Sequence, residues 1–148
     1  LPAEAGLYAS VAPLLLYDPP LSDRHGLGHS LPEWPSLIVV RLNSLTEQGC
    51  ALSVVSLAEL YEGVYFSSNP TGNEQALDDF LRGASVLGID AETCKIFGQH
   101  RGRLRAKGKM VGDFDLLIGA TGLRHGLTVL TNNRRHFELI EGLPIESQ

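Results

Sequence analysis

The apolar positions change their rhythm near Pro35. Upstream, neither helical nor strand periodicity persists. Six of the eight prolines fall within the first 35 residues, with Gly6, Gly26 and Gly28 among them. Proline removes a backbone donor and restricts the residue before it, so residues 1–35 are expected to be irregular, with no central strand. From Ser36 the pattern becomes regular. Leu37, Val40, Arg41 and Leu45 suit a short helix ending near Gly49. Residues 50–55 (C-A-L-S-V-V) read as a buried strand, and 56–65 as a helix. Residues 69–85 follow a turn at Pro70 and place Leu77, Phe80 and Leu81 on one helical face. A strand is expected over 86–89, then a helix over 91–107 with Ile96, Phe97 and Leu104 inward. Asp113 and Asp115 open a further helix, continued by Leu116, Leu117, Ala120 and Leu123 and stopped by Gly126. Residues 127–131 form a short β-branched apolar run, and 143–146 add a last strand. Strands alternating with helices predict an α/β fold with a mostly parallel sheet of four or five strands. The N-terminal strand is expected to be lost.

Composition narrows the classes. A chain of 148 residues with 43% hydrophobic content can build one ordinary core. The domain is assigned to residues 36–148, after the irregular segment 1–35. The net charge of −5 argues against bulk attraction of nucleic acid and leaves room for a local basic patch. Arg101, Arg103, Arg105, Lys107 and Lys109 form the only basic cluster long enough to contact an RNA backbone; such a run is most often just a solvated helix face. Cys50 and Cys94 make no disulfide framework, which points to a reducing, cytoplasmic setting. No apolar run is long enough to cross a bilayer, and no partner membrane is expected. The run 11–17 is broken by Pro13 and lacks a basic flank, so it does not read as a signal peptide.

Several residues can carry chemistry. Glu59 lies in S-L-A-E-L-Y-E-G, which also reads as a capping box with Ser56 as N-cap and Glu59 reaching back to it. Asp113 and Asp115 suit a first helical turn, where a carboxylate complements the helix dipole by about 0.3–1 kcal/mol. If carboxylates from separate segments instead meet in one cleft, they repel unless a hard cation such as Mg²⁺ or Mn²⁺ joins them. Asn133 and Thr131 stand at a strand's carboxyl end, where a turn is the ordinary reading and a water- or metal-holding role the other. The five histidines show no zinc-type spacing. Neither a G-x-x-x-x-G-K-[ST] nor a G-x-G-x-x-G supports a phosphate-binding α/β protein.

The segments A-L-S-V-V-S-L-A-E-L-Y-E-G-V (51–64), F-D-L-L-I-G-A-T (114–121) and L-T-V-L-T-N-N-R-R-H-F (127–137) resemble, in order, type and spacing, the PIN-domain ribonucleases, and among them the VapC-type toxins of toxin–antitoxin pairs. The resemblance implies a small α/β domain that cleaves RNA with Mg²⁺ or Mn²⁺, inhibited by a cognate antitoxin and forming a homodimer. It places Glu59, Asp115 and Asn133 at the catalytic positions. Glu59, Asp115 and, more distantly, Asp113 are the implied metal ligands, with Thr131 in support.

One element of that family is missing. Its opening strand ends in D-T-N or D-T-D, and no such motif occurs in residues 1–35. Back-translated and read one nucleotide later, residues 17–34 can encode M-I-H-L-Y-L-T-D-T-D-W-A-I-H-S-L-N-G, which contains it. A frame change near residues 34–36 would account for the loss. Without that aspartate the chain is expected to have little activity. The alternative is a non-catalytic PIN-like domain that binds antitoxin or RNA without cutting.

Overall fold

The computed structural model describes residues 14–15, 50–131 and 133–147. Five strands form one sheet: β1 (Leu14–Leu15), β2 (Ala51–Ser53), β3 (Ser85–Leu87), β4 (Val129–Leu130) and β5 (Ile145–Glu146). Their order is β3-β2-β1-β4-β5 and every pairing is parallel. The expected α/β architecture is thus present. The expected loss of the N-terminal strand is not. Leu14 pairs with Ala51 on one side and Val129 on the other, and Leu15 with Leu52 and Leu130. Without β1 the facing backbone groups of β2 and β4 would be left unpaired in the protein's centre, where each such group costs about 1–3 kcal/mol. Apart from this strand, the irregular segment 1–35 and the helix expected before Gly49 lie outside the described residues.

Among the described residues there are five helices: α1 (Val54–Phe66), α2 (Pro70–Leu81), α3 (Ala91–Ala106), α4 (Asp113–His125) and α5 (Arg134–Phe137). The alternation of the strands sorts the core into two halves. Ala51 and Val129 pack with Leu87, Leu104, Leu116 and Ile118, on the α3–α4 side. Their neighbours Leu52 and Leu130 pack with Leu60, Val64, Leu77 and Phe80, on the α1–α2 side. Successive strand residues point to opposite faces, so a sheet covered on both faces must be apolar throughout. Both β2 and β4 are fully buried.

Boundaries depart from the expectations where side chains reach the backbone. Ser53 Oγ accepts from Val55 N–H at 3.1 Å. That cap ends β2 at Ser53 and draws Val54 and Val55, read as strand, into the first turn of α1. Strand β3 ends at Leu87 rather than at Ile89. Asp90 caps α3, accepting from Thr93 N–H and Thr93 Oγ1, each at 2.8 Å, and pairs with Arg124 of α4 at 3.2 Å. Bonding from Thr93, first through its backbone, holds the Asp90 carboxyl at about 2. Helix α4 ends as expected at Gly126, whose φ of 65° is left-handed. Helix α5, after Asn133, replaces what reads as a polar strand end.

Candidate active site

Strands β2, β1 and β4 run parallel side by side, so their carboxyl ends share one edge of the sheet. The chain reaches β2 and β3 on one side of β1, and β4 and β5 on the other. Such a reversal of strand order opens a crevice at the carboxyl edge of an α/β sheet. The sequence-predicted residues can be placed against that edge.

Glu59 lies in the second turn of α1, immediately beyond β2, and is half-buried. The capping box proposed for it does not form. Ser53 is the N-cap, and Ser56 sits inside the helix with 0% exposure. Ser56 Oγ is buried without a hydrogen-bond partner. It shares a helical face with Glu59, three residues on.

From β4 the chain leaves through Thr131, which is 4% exposed. Its Oγ1 accepts from Asn133 N–H at 2.9 Å and so fixes the turn into α5. Asp115, on the first turn of α4, has a side chain only 20% exposed. Its Oδ2 lies 2.6 Å from His136 Nδ1, on α5. The same ring nitrogen is 2.9 Å from Asn133 Nδ2. A carboxylate only accepts, so Nδ1 carries a proton and donates it to Asp115. The amide contact is then favourable when Asn133 turns its oxygen toward that N–H. His136 Nδ1 thus lies within hydrogen-bond distance of both Asp115 and Asn133. The sequence reading did not single out this residue, although its spacing three after Asn133 on a helix was visible.

Asp113 does not join them. It is the first residue of α4, its side chain is 79% exposed, and it forms an ion pair with Arg101 of α3. Arg101 also donates from Nη1 to Val111 O at 2.7 Å and lies over the Phe97 ring, 5.2 Å from its centroid. Its own side chain is 16% exposed. This half-buried arginine bonds backbone and carboxylate together at the start of α4.

Among the described residues, no three His, Cys, Asp or Glu side chains come together as a metal-holding group. The donor chemistry of these residue types still suits a hard cation. Glu59 and Asp115 offer carboxylate oxygens and Asn133 an amide oxygen. Mg²⁺ characteristically takes one or two carboxylates and keeps several waters. The unpartnered Ser56 hydroxyl, on the face of α1 that carries Glu59, adds a polar group able to bond such a water.

The PIN domain family pattern matches residues 38–143. The chain belongs to the PIN-domain family. Among curated proteins it is 37% identical to a tRNA(fMet)-specific endonuclease VapC of Salmonella typhimurium, over 76% of this chain and 84% of that protein. It is 32% identical to ribonuclease VapC2 of Haemophilus influenzae, over 76% and 85%. Two solved complexes share the fold. VapBC from Salmonella typhimurium bound to DNA matches with a TM-score of 0.69 and 31% identity, over 93% of this chain and 98% of that one. VapBC2 from Rickettsia felis bound to a promoter DNA fragment matches with a TM-score of 0.67 and 30% identity, over 79% and 89%.

Proposed function

We propose that this chain is an endoribonuclease toxin of the VapC type, which cleaves RNA phosphodiesters with the help of Mg²⁺ or Mn²⁺. The observation that carries the reading is His136 Nδ1 within hydrogen-bond distance of both Asp115 and Asn133 at the carboxyl edge of the sheet. Glu59 and Asp115 would hold the cation, with Asn133 beside them; when bound, it would neutralise charge on the scissile phosphate and activate a water. His136 orients the Asp115 carboxylate, and Thr131 sets the backbone that carries Asn133. Asp113, paired with Arg101, supports the start of α4 rather than the cation.

The named relatives are ribonucleases, and the solved neighbours are toxin–antitoxin complexes. The complexes support a cognate antitoxin as partner; a homodimeric working form and a cytoplasmic place are part of the same proposal. Among the described residues no helix is long and apolar enough to cross a membrane. A second reading, a PIN domain that binds without cutting, is favoured by the two-carboxylate donor set. Cleavage of a mixed RNA by wild type, E59Q, D115N and N133A, with Mg²⁺, with Mn²⁺ and with chelator, separates the two. The enzyme reading expects chelator-sensitive cleavage that falls at least roughly a hundredfold in D115N, as for loss of a principal charge-stabilising group. Equal cleavage by D115N and wild type would reject the site.

A further inference from the structure

The surface leading into this edge has a charge unlike the rest of the chain. From Thr93 to Gly112 there is no acidic residue, while five of the chain's twelve Lys and Arg lie between Arg101 and Lys109. Arg105 stands one turn beyond Arg101 on α3, and i, i+4 residues share a helical face. Phe97, Arg101 and Arg105 therefore line the side that meets the start of α4, where Arg101 already reaches Val111 and Asp113. Arg105, Lys107 and Lys109 are exposed, and no carboxylate among the described residues pairs with them. The turn that follows is fixed: Gly108 has a φ of 63°, and Lys109 N–H bonds Leu104 O at 2.8 Å. Immediately beyond it, Met110 is 84% exposed and Phe114 56%. Phe114 lies between Asp113 and Asp115 in the first turn of α4.

We propose that Arg105, Lys107 and Lys109 form the track along which an unpaired RNA strand enters the site, with Phe114 as the platform on which a base beside the scissile phosphate stacks. The proposal rests on the ribonuclease reading and names its substrate's form. In a chain of net negative charge, a local run of unpaired cations is the feature that a phosphate backbone recognises. An exposed ring next to it adds what a backbone track lacks, because stacking requires a base free of its partner. Single-stranded RNA, rather than duplex, fits both halves of the surface.

The test measures binding separately from cleavage. The full chain is titrated, in chelator, against a fluorescent RNA of about 15 nucleotides, single-stranded or in perfect duplex, at several salt concentrations. Three exposed-residue variants are compared with wild type: R105E/K107E/K109E, its milder glutamine counterpart, and F114A. R82E, at the cap that ends α2, is the control for bulk charge, and D115N is assayed for cleavage in parallel. Arg103 is left intact because its charge acts on His100. The charge variants should weaken binding at least roughly tenfold and reduce the salt slope by about 2, near 0.7 per lost contact on single strands. F114A should weaken single-strand binding roughly tenfold and leave duplex binding unchanged. Unchanged affinity and slope in the glutamine variant overturn the track, as does an equal loss in R82E. So does a variant that binds RNA normally but no longer binds its protein partner, which would assign the patch to an acidic protein. An inert D115N effect on cleavage rejects the ribonuclease site while leaving the binding result readable by itself.

Discussion

His136 Nδ1 lies 2.6 Å from Asp115 Oδ2, across 21 residues of sequence and between two different helices. The contact couples the end of β4 to the start of α4. A partner that orients a metal-holding carboxylate commonly contributes 10–100-fold in metal affinity or activity. We therefore expect H136A to lose roughly that much Mn²⁺ affinity, measured by titration calorimetry, and a similar factor in cleavage. H136N, whose side-chain N–H can still donate, should retain more of both. An H136A protein with wild-type Mn²⁺ affinity would show that Asp115 needs no such support.

The two serines at the start of α1 should behave in opposite ways. Ser53 caps the helix through Val55 N–H, so S53A should destabilise the fold by about 1 kcal/mol. Ser56 has a buried hydroxyl without a partner, so S56A should be close to neutral or slightly stabilising. Urea unfolding of both variants checks this. A capping box built on Ser56 and Glu59 would give the reverse order.

Acid should weaken the fold in two windows. Burial, and next the Arg103 charge, lower the His100 pKa from its ordinary 6.5. The unfolded chain then takes up this proton before the folded one, so the contribution is complete above pH 6.5 and shrinks as pH falls below it. Asp90 is held at about 2, from an ordinary 3.8. Its contribution is complete above pH 3.8 and is lost as pH falls through about 2. Melting curves for wild type and H100L between pH 5 and 8 should differ in slope. Parallel curves would mean that His100 has no part in the upper window.

What the sequence made legible was local or periodic. The helix from Asp113 to Gly126 could be read because its acidic start, apolar face and glycine stop all lie within one element. The segment around Glu59 was placed correctly on a helix but with the wrong cap, because Ser53 and Ser56 both precede suitable residues and only the bond to Val55 distinguishes them. Strand β1 was hidden for a different reason. Two residues carry no periodicity, and the surrounding prolines dominate any window that includes them. What makes Leu14–Leu15 a strand is pairing to Ala51–Leu52 and to Val129–Leu130, which is not local. A proline is also tolerated at a strand's beginning, so Pro13 before Leu14 was weaker counter-evidence than it looked. The bond between Asp115 and His136 likewise depends on how α4 and β4 pack.

The shifted reading of residues 17–34 yields the last prediction. The family pattern begins at residue 38, just past the point near 34–36 where a frame change is proposed. In the shifted reading an apolar run, I-H-L-Y-L-T, leads directly into D-T-D. In the present chain, among the described residues, the slot between β2 and β4 holds Leu14–Leu15. Two apolar segments thus suit the same central position, and the shifted one leads into carboxylates. Exchanging residues 17–34 for the shifted string, which has the same length, should let the new run take that slot. It would then carry an aspartate to the edge where Asp115 stands. Cation affinity rises with the number of charged ligands, so Mn²⁺ binding and cleavage should both increase, roughly tenfold or more. A six-residue apolar run in that slot should also raise the melting temperature, because it can pair with β2 and β4 along their whole length. Calorimetric titration with Mn²⁺, an RNA cleavage assay and a thermal melt of the two chains check the three effects. Equal affinity and equal cleavage would show that the chain as it stands already has a complete site, and that residues 17–34 took nothing from it.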